Sequence, residues 1–452
     1  MAGLFFDEAL LPQGWARDVR LTVEDGRFAS IEAKASPNPG DEHHRIGLPG
    51  MPNLHSHAFQ RGMAGLAEIR GSAADSFWTW REVMYRFVGR MTADDIQAVA
   101  AQAYVEMLEA GFTRVGEFHY IHHDVSGAHY SNIGELAERI VSAAQATGIG
   151  LTLLPVFYAH AGFGGRAPEQ NQRRFINTID GFSELMSACR RAIAGQQGAV
   201  LGFAPHSLRA VTPDELATIL QLDGVCPVHM HIAEQIQEVD ACVQWSGQRP
   251  LQWLFDHAAV DRRWCLIHAT HATADEITCL ARSGSVAGLC PITEANLGDG
   301  TFSAAEFCDR GGIFGVGSDS NVLIGVSDEL RQLEYSQRLA HRARNVLAGA
   351  SASTGRRLFD GAVAGGSQAL GVASPGLVEG GFADIVSLEA EHVALAGRSG
   401  DAILDSWIFG TSRSPVDCVW ARGRSVVRGG RHHAGDAIAR RFRQVLRGLL
   451  SA

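Results

Sequence analysis

Apolar positions in this chain come in short runs separated by longer amphipathic stretches, a rhythm that holds from about residue 48 to 374. Eight runs read as strands buried on both faces: LPGMPNL (48–54), FTRVGEFHY (112–120), LTLLPVFY (151–158), AVLGFAPHS (199–207), VCPVHMHIA (225–233), WCLIHAT (264–270), SVAGLC (285–290) and GIFGVGSD (312–319). Helical spacing lies between them. TADDIQAVAAQAYVEMLEAG (92–111) opens on a threonine cap and closes on glycine, and TPDELATILQL (212–222) opens the same way. Eight strand and helix alternations predict an α/β fold, a (β/α)8 barrel of the TIM type over residues 48–374.

The two ends of the chain carry a different, shorter pattern. Residues 1–47 alternate as strands around the hairpin signal Asp25-Gly26, and FADIVSLEA (382–390) and VDCVWARGRSVVRGG (416–430) share that character. The expectation is one small β-sandwich module built from residues 1–47 and 375–452. Its terminal helix places Ile438, Phe442, Val445, Leu446 and Leu449 on a packing stripe.

Chemically loaded residues fall at the C-terminal ends of the strand runs, the end where barrels of this type build their sites. The first run leads into His55-Ser56-His57, and residues two apart on a strand offer both imidazoles to one side. The fifth run ends in His229-Met230-His231 and continues to Glu234, the sixth carries His268, and the eighth ends in Asp319. Three imidazoles and one carboxylate, His55, His57, His231 and Asp319, suit a zinc-sized divalent ion with room for water. His229 shares a strand face with His231 and is a rival ligand. His271 follows His268 by three and competes for its place. Asp319 and Glu234 have a plainer reading as helix caps.

These residues carry a resemblance to the mononuclear deaminase branch of the amidohydrolase superfamily. His55 and His57 match its first-strand pair, His231 and Glu234 its fifth-strand pair, His268 its sixth-strand histidine and Asp319 its eighth-strand aspartate. The resemblance implies one zinc ion per subunit, with Glu234, His268 and Asp319 as the catalytic groups. The motifs LHSHAFQRGMAG (54–65), SFWTWREVMYRF (76–87), GEFHYIHH (116–123), HAGFGG (160–165), APHSLRAV (204–211) and CPITEANLGDG (290–300) narrow it, being similar to those of the N-formimino-L-glutamate deiminase family. That family implies hydrolytic deamination in histidine breakdown, a homodimer, and substrate contacts at Gln60, Arg81, Tyr120, His206 and Arg209. Two arginine forks suit a small dianionic substrate derived from an amino acid. Arg81, inside the aromatic run Trp78, Trp80 and Tyr85, can alternatively be a residue that only stacks on rings.

Composition removes other classes. Lys+Arg 39 against Asp+Glu 49 gives 39 − 49 = −10, which argues against nucleic acid and anionic membrane surfaces as partners. Lys34 is the only lysine, which removes Schiff-base and Walker-type chemistry almost entirely; binuclear members of the resembled superfamily often use a carboxylated lysine from strand four, and that strand here has none. Eight scattered cysteines without C-x-x-C read as reduced, mostly buried residues of a cytoplasmic protein, and no apolar run is long enough to span a membrane. Histidine and carboxylate ligands equally accept iron or another divalent metal. The loop AHAGFGGRAPEQNQRRF (159–175) reads either as a lid over the site or as an ordinary solvated loop. Two rival functions remain: a deaminase of the same fold acting on a purine, pyrimidine or guanidino substrate, and a metal-bearing binding protein without catalysis.

Overall fold

The computed structural model describes residues 3–69, 76–350 and 352–451. The chain begins with four strands, β1 (Leu4–Leu11), β2 (Gly14–Glu24), β3 (Arg27–Glu32) and β4 (Glu42–Pro49). Nine short strands follow: β5 (Met51–Ser56), β6 (Phe112–His119), β7 (Gly150–Phe157), β8 (Val200–Leu201), β9 (Ala204–Pro205), β10 (Val228–Ile232), β11 (Trp264–His268), β12 (Val286–Leu289) and β13 (Ile313–Val316). The chain returns to the first region through β14 (Ile385–Leu388), β15 (Val416–Ala421), β16 (Arg424–Arg428) and β17 (Arg431–His432).

Strands β5 to β13 occupy every run that the apolar pattern marks. They form two parallel sheets, β5-β6-β7-β8 with β9 beside β7, and β10-β11-β12-β13. Isolated bridges Phe203 with Val228 and Ser207 with His231 join the sheets on one side, and Ser56 with Asp319 joins them on the other. Eight strand positions therefore run round and return to the first, as a (β/α)8 arrangement requires. The fourth position is split into two two-residue strands, β8 and β9, on either side of Gly202 and Phe203, and Pro155 of β7, which brings no N–H, falls in the same gap. At the β5 and β13 join the backbones approach closely, and Gly317 permits it. A Cβ there would lie 2.7 Å from the His55 carbonyl oxygen.

Helices between the strands start where caps predict. Thr92 and Asp95 form a capping box on the helix Ala93–Glu109, and Thr212 with Glu215 does the same on Pro213–Ile219. The C-terminal helix Gly435–Ser451 turns Val445 and Leu449 inward, with Ile438, Phe442 and Leu446 packed partly against the same core. The two chain ends meet in one eight-stranded sheet, β17-β16-β15-β14-β4-β1-β2-β3. A bridge from Arg27 to Phe382 brings its two halves together over Phe6, Val19, Leu21, Phe28, Ile385 and Trp420. Among the described residues no helix is long and apolar enough to cross a membrane, and all eight cysteines are free, six of them buried.

Candidate active site

His55 lies near the end of β5 with His57 just beyond it, His231 lies in β10, and Asp319 follows β13 where β5 and β13 join. All four are buried. The His55 Nε2 is 3.2 Å from His57 Nε2 and 3.1 Å from His231 Nε2, and Asp319 Oδ1 is 3.3 Å from Nε2 of both His55 and His57. Four donor atoms thus converge on one point. The far nitrogens explain how they are aimed: Nδ1 of His57 donates to the Phe118 carbonyl and Nδ1 of His231 to the His206 carbonyl, both at 3.1 Å. A proton on Nδ1 leaves the Nε2 lone pair free for a metal. Burial drives the same way, lowering His57 and His231 and pushing His55 down to about 3. Burial alone raises an aspartate, yet the bond from His55 and the neighbouring imidazoles hold Asp319 well below the usual carboxylate range. Neutral imidazoles and an ionised carboxylate in tetrahedral number are the donor set of a divalent metal.

The rival His229 points elsewhere, its Nε2 bonded at 2.8 Å to the Ala369 carbonyl in the barrel interior. Asp319 caps no helix, since the next one begins at Val326. Glu234 is free of capping as well, because Glu238 accepts from the backbone N–H groups of Ala233 and Glu234, each at 3.2 Å. Its carboxylate instead faces His268, with Oε1 3.6 Å from Nε2. The same His268 nitrogen is 3.8 Å from Asp319 Oδ2. The Glu234, Glu294 and Asp319 carboxylates outweigh burial and raise His268, while burial raises Glu234. His271 is outside this cluster. Ala233, His268, Ala269, Asp319 and Asn321 all have left-handed backbones, with φ between 44 and 70°, so strain is concentrated at these strand ends.

The cluster opens into a cavity whose lining includes Gln60, Arg81, Tyr120, His206 and Arg209. Every residue expected to touch substrate therefore faces the same space as the metal donors. Gln60 donates to the Tyr120 hydroxyl at 3.1 Å, and its own carbonyl oxygen is buried without a partner among the described residues. Arg81 stacks on Trp78, 4.5 Å from the ring centre, and Tyr85 at 5.4 Å; Arg209 approaches Trp78 at 5.7 Å. Both readings of Arg81 hold together: it stacks and it lines the cavity. Among the described residues neither guanidinium meets a carboxylate, and the Nε of each is buried without a partner. Two such cations facing one cavity are a receptor for an anion.

Residues 46–426 match the amidohydrolase family, and residues 1–45 match the N-terminal domain of formimidoylglutamate deiminase HutF. The chain belongs to the amidohydrolase family. A formimidoylglutamate deiminase of Pseudomonas aeruginosa is 52% identical across the full length of both chains. A 5-methylthioadenosine/S-adenosylhomocysteine deaminase of Natronomonas pharaonis is 27% identical, covering 83% of this chain and 81% of its own. Among solved structures, an amidohydrolase from Brucella melitensis superposes with a TM-score of 0.97 at 57% identity over both full chains. An adenosine deaminase from Xanthomonas campestris with bound zinc shares the fold, with TM-score 0.81, 19% identity, and coverage of 100% and 99%.

Several residues of this amidohydrolase site have no role in the sequence pattern. Asn321 is fully buried and donates to the backbone carbonyls of His57 and Asp319 at 3.1 and 3.0 Å. Glu117 of β6 accepts from the N–H of Ala58 at 2.8 Å, fixing the turn after His57. Tyr85 and Tyr158 line the arginine end, and Gln172 donates to the Tyr158 hydroxyl at 2.8 Å. Tyr85, Glu117 and Glu294 lie inside the motifs SFWTWREVMYRF, GEFHYIHH and CPITEANLGDG, which do not reveal what each touches; Asn321 and Gln172 come from loops whose course no periodicity reveals.

Proposed function

We propose that this amidohydrolase hydrolyses N-formimino-L-glutamate to N-formyl-L-glutamate and ammonia, the deiminase step of histidine degradation. The observation that carries the reading is one cavity lined both by the metal-donor cluster and by two arginines that, among the described residues, meet no carboxylate. The full-length identity of 52% to a formimidoylglutamate deiminase supports the same assignment. Formiminoglutamate has two carboxylates, and a purine or pyrimidine has none to satisfy Arg81 and Arg209.

The metal is one zinc ion per subunit, held by His55, His57, His231 and Asp319. Support comes from the neutral imidazole donors and from the zinc in the related Xanthomonas structure. When bound, such an ion supplies Lewis acidity, bringing water toward ionisation near neutral pH. Asp319 and His268 hold the attacking water beside the formimino carbon, and the Asp319 carboxylate takes its proton. A carbon–oxygen bond forms, and His268 donates a hydrogen bond to the tetrahedral centre. Glu234 delivers a proton to the terminal nitrogen, the carbon–nitrogen bond to it breaks, and ammonia leaves while the glutamate nitrogen stays bonded. Arg81 and Arg209 bind one carboxylate; Gln60, Tyr120 and His206 bind the other. The protein works as a homodimer in the cytoplasm, as its resemblance to the family implies.

The deciding experiment incubates metal-loaded protein with N-formimino-L-glutamate and measures ammonia, formylglutamate and free glutamate together. Ammonia and formylglutamate in equal amounts are expected; glutamate in place of formylglutamate overturns the proton delivery assigned to Glu234, and no turnover overturns the substrate. Metal analysis of the purified protein distinguishes zinc from iron, and light scattering reads the dimer.

A further inference from the structure

His268 has two faces, and only one is used by the chemistry described above. Its Nε2 looks toward Glu234 and Asp319, while Nδ1 is 3.2 Å from Oε1 of Glu294. Glu294 is buried and belongs to the helix Pro291–Leu297, which follows β12. The same Oε1 accepts from the backbone N–H of Cys290 at 2.9 Å, and the backbone N–H of Glu294 donates to the Cys290 carbonyl at 2.9 Å. The carboxylate is therefore pinned to the start of its own helix before it meets the imidazole.

The backbone of His268 makes that anchor necessary. His268 and Ala269 both lie in the left-handed region, at φ 70° and 50°. His268 is the last residue of its strand and the left-handed turn begins there, so strand alternation alone does not set where the ring goes. No other protein group among the described residues holds Nδ1, and Nε2 lies beyond hydrogen-bond distance of its two carboxylates.

We propose that Glu294 is a positioning residue for the deamination, fixing by its bond to Nδ1 the direction in which His268 Nε2 points at the reacting carbon. A carboxylate at Nδ1 also requires that this nitrogen carry a proton, which leaves Nε2 as the nitrogen presented to the reacting carbon. The proposal rests on the catalytic reading of His268, and deepens it.

The test compares Glu294→Ala and Glu294→Gln with the parent protein in steady-state deamination of N-formimino-L-glutamate, with metal content measured in each. The glutamine keeps an amide oxygen for Cys290 and His268. Loss of a partner that orients a site imidazole costs roughly 10- to 100-fold. Glu294→Ala is expected near the upper end of that range in kcat, and Glu294→Gln near the lower end. KM should stay within about threefold and metal content should be unchanged, because the group acts through His268 and not on substrate. Equal kcat in all three proteins overturns the proposal. So does a rise in KM or a loss of metal that matches the loss of kcat, which marks a merely structural role. If Glu294→Ala does not fold, the same split read on Glu294→Gln decides. An inert parent protein instead sinks the substrate assignment, and is seen before any variant is made.

Discussion

At the metal end of the cavity two imidazoles and the backbone are held by further partners: Phe118 and His206 carbonyls aim His57 and His231, and Asn321 ties the backbones that carry His57 and Asp319. At the arginine end Arg81 and Arg209 touch aromatic faces and, among the described residues, leave their Nε atoms without a partner. The contrast separates two tasks. Reaction geometry tolerates little movement, so its groups are locked by hydrogen bonds, whereas recognition of a carboxylate end tolerates a stacked cation that completes its bonds only when the anion arrives.

The sharpest way to break this contrast is to remove one metal donor. His231→Ala should lose bound metal and at least roughly three orders of magnitude in turnover, read by metal analysis and ammonia release. Glu234→Gln tests the same end without touching a ligand; full metal content with a loss of roughly two orders of magnitude in kcat is expected. Unchanged turnover there removes Glu234 from the chemistry. Effects at the other end should appear in KM. Arg209→Met or Arg81→Met loses a charged hydrogen-bonded pair worth about 2 kcal/mol, roughly 30-fold in KM, with a smaller change in kcat. A kcat effect of equal size would mean that the arginines also set the reaction geometry. Smallest is Trp78→Ala, which removes only ring contacts of about 0.5–1 kcal/mol and should raise KM by a few fold.

The same contrast governs what the sequence reveals. His55 and His57 are legible because strand periodicity puts them on one side, and the eight strand runs are legible because parallel strands buried on both faces are continuously apolar. Which of His229 and His231 is the ligand is not legible from that rule, since both share a face; depth decides, with His229 at the Ala369 carbonyl and His231 at the mouth. Arg81 and Arg209 could be placed only through the resemblance, because they come from a helix and a loop whose approach depends on tertiary packing. Glu294, Asn321 and Glu117 act on other residues and not on a metal or substrate, so their spacing along the chain carries no pattern. The fourth strand position is continuous in the apolar pattern, and the structure divides it at Gly202 and Phe203, beside Pro155 of β7.

The bridges at the joins of the two parallel sheets have a mechanical consequence. His55 belongs to the first strand of one sheet and His57 directly follows it, His231 belongs to the first strand of the other, and Asp319 follows that sheet's last strand. A single ion held by these four side chains is a rivet through two plates, clamping them at the β5 and β13 join and gripping the leading edge of the second. Its binding energy is then shared by the whole ring, since an ion that binds only the folded chain at a hundred times its dissociation constant adds about 2.7 kcal/mol to folding. Chelation should loosen both joins at once, quickening deuterium uptake at the amides of His57, His231 and Asp319 while the centres of the sheets keep their protection.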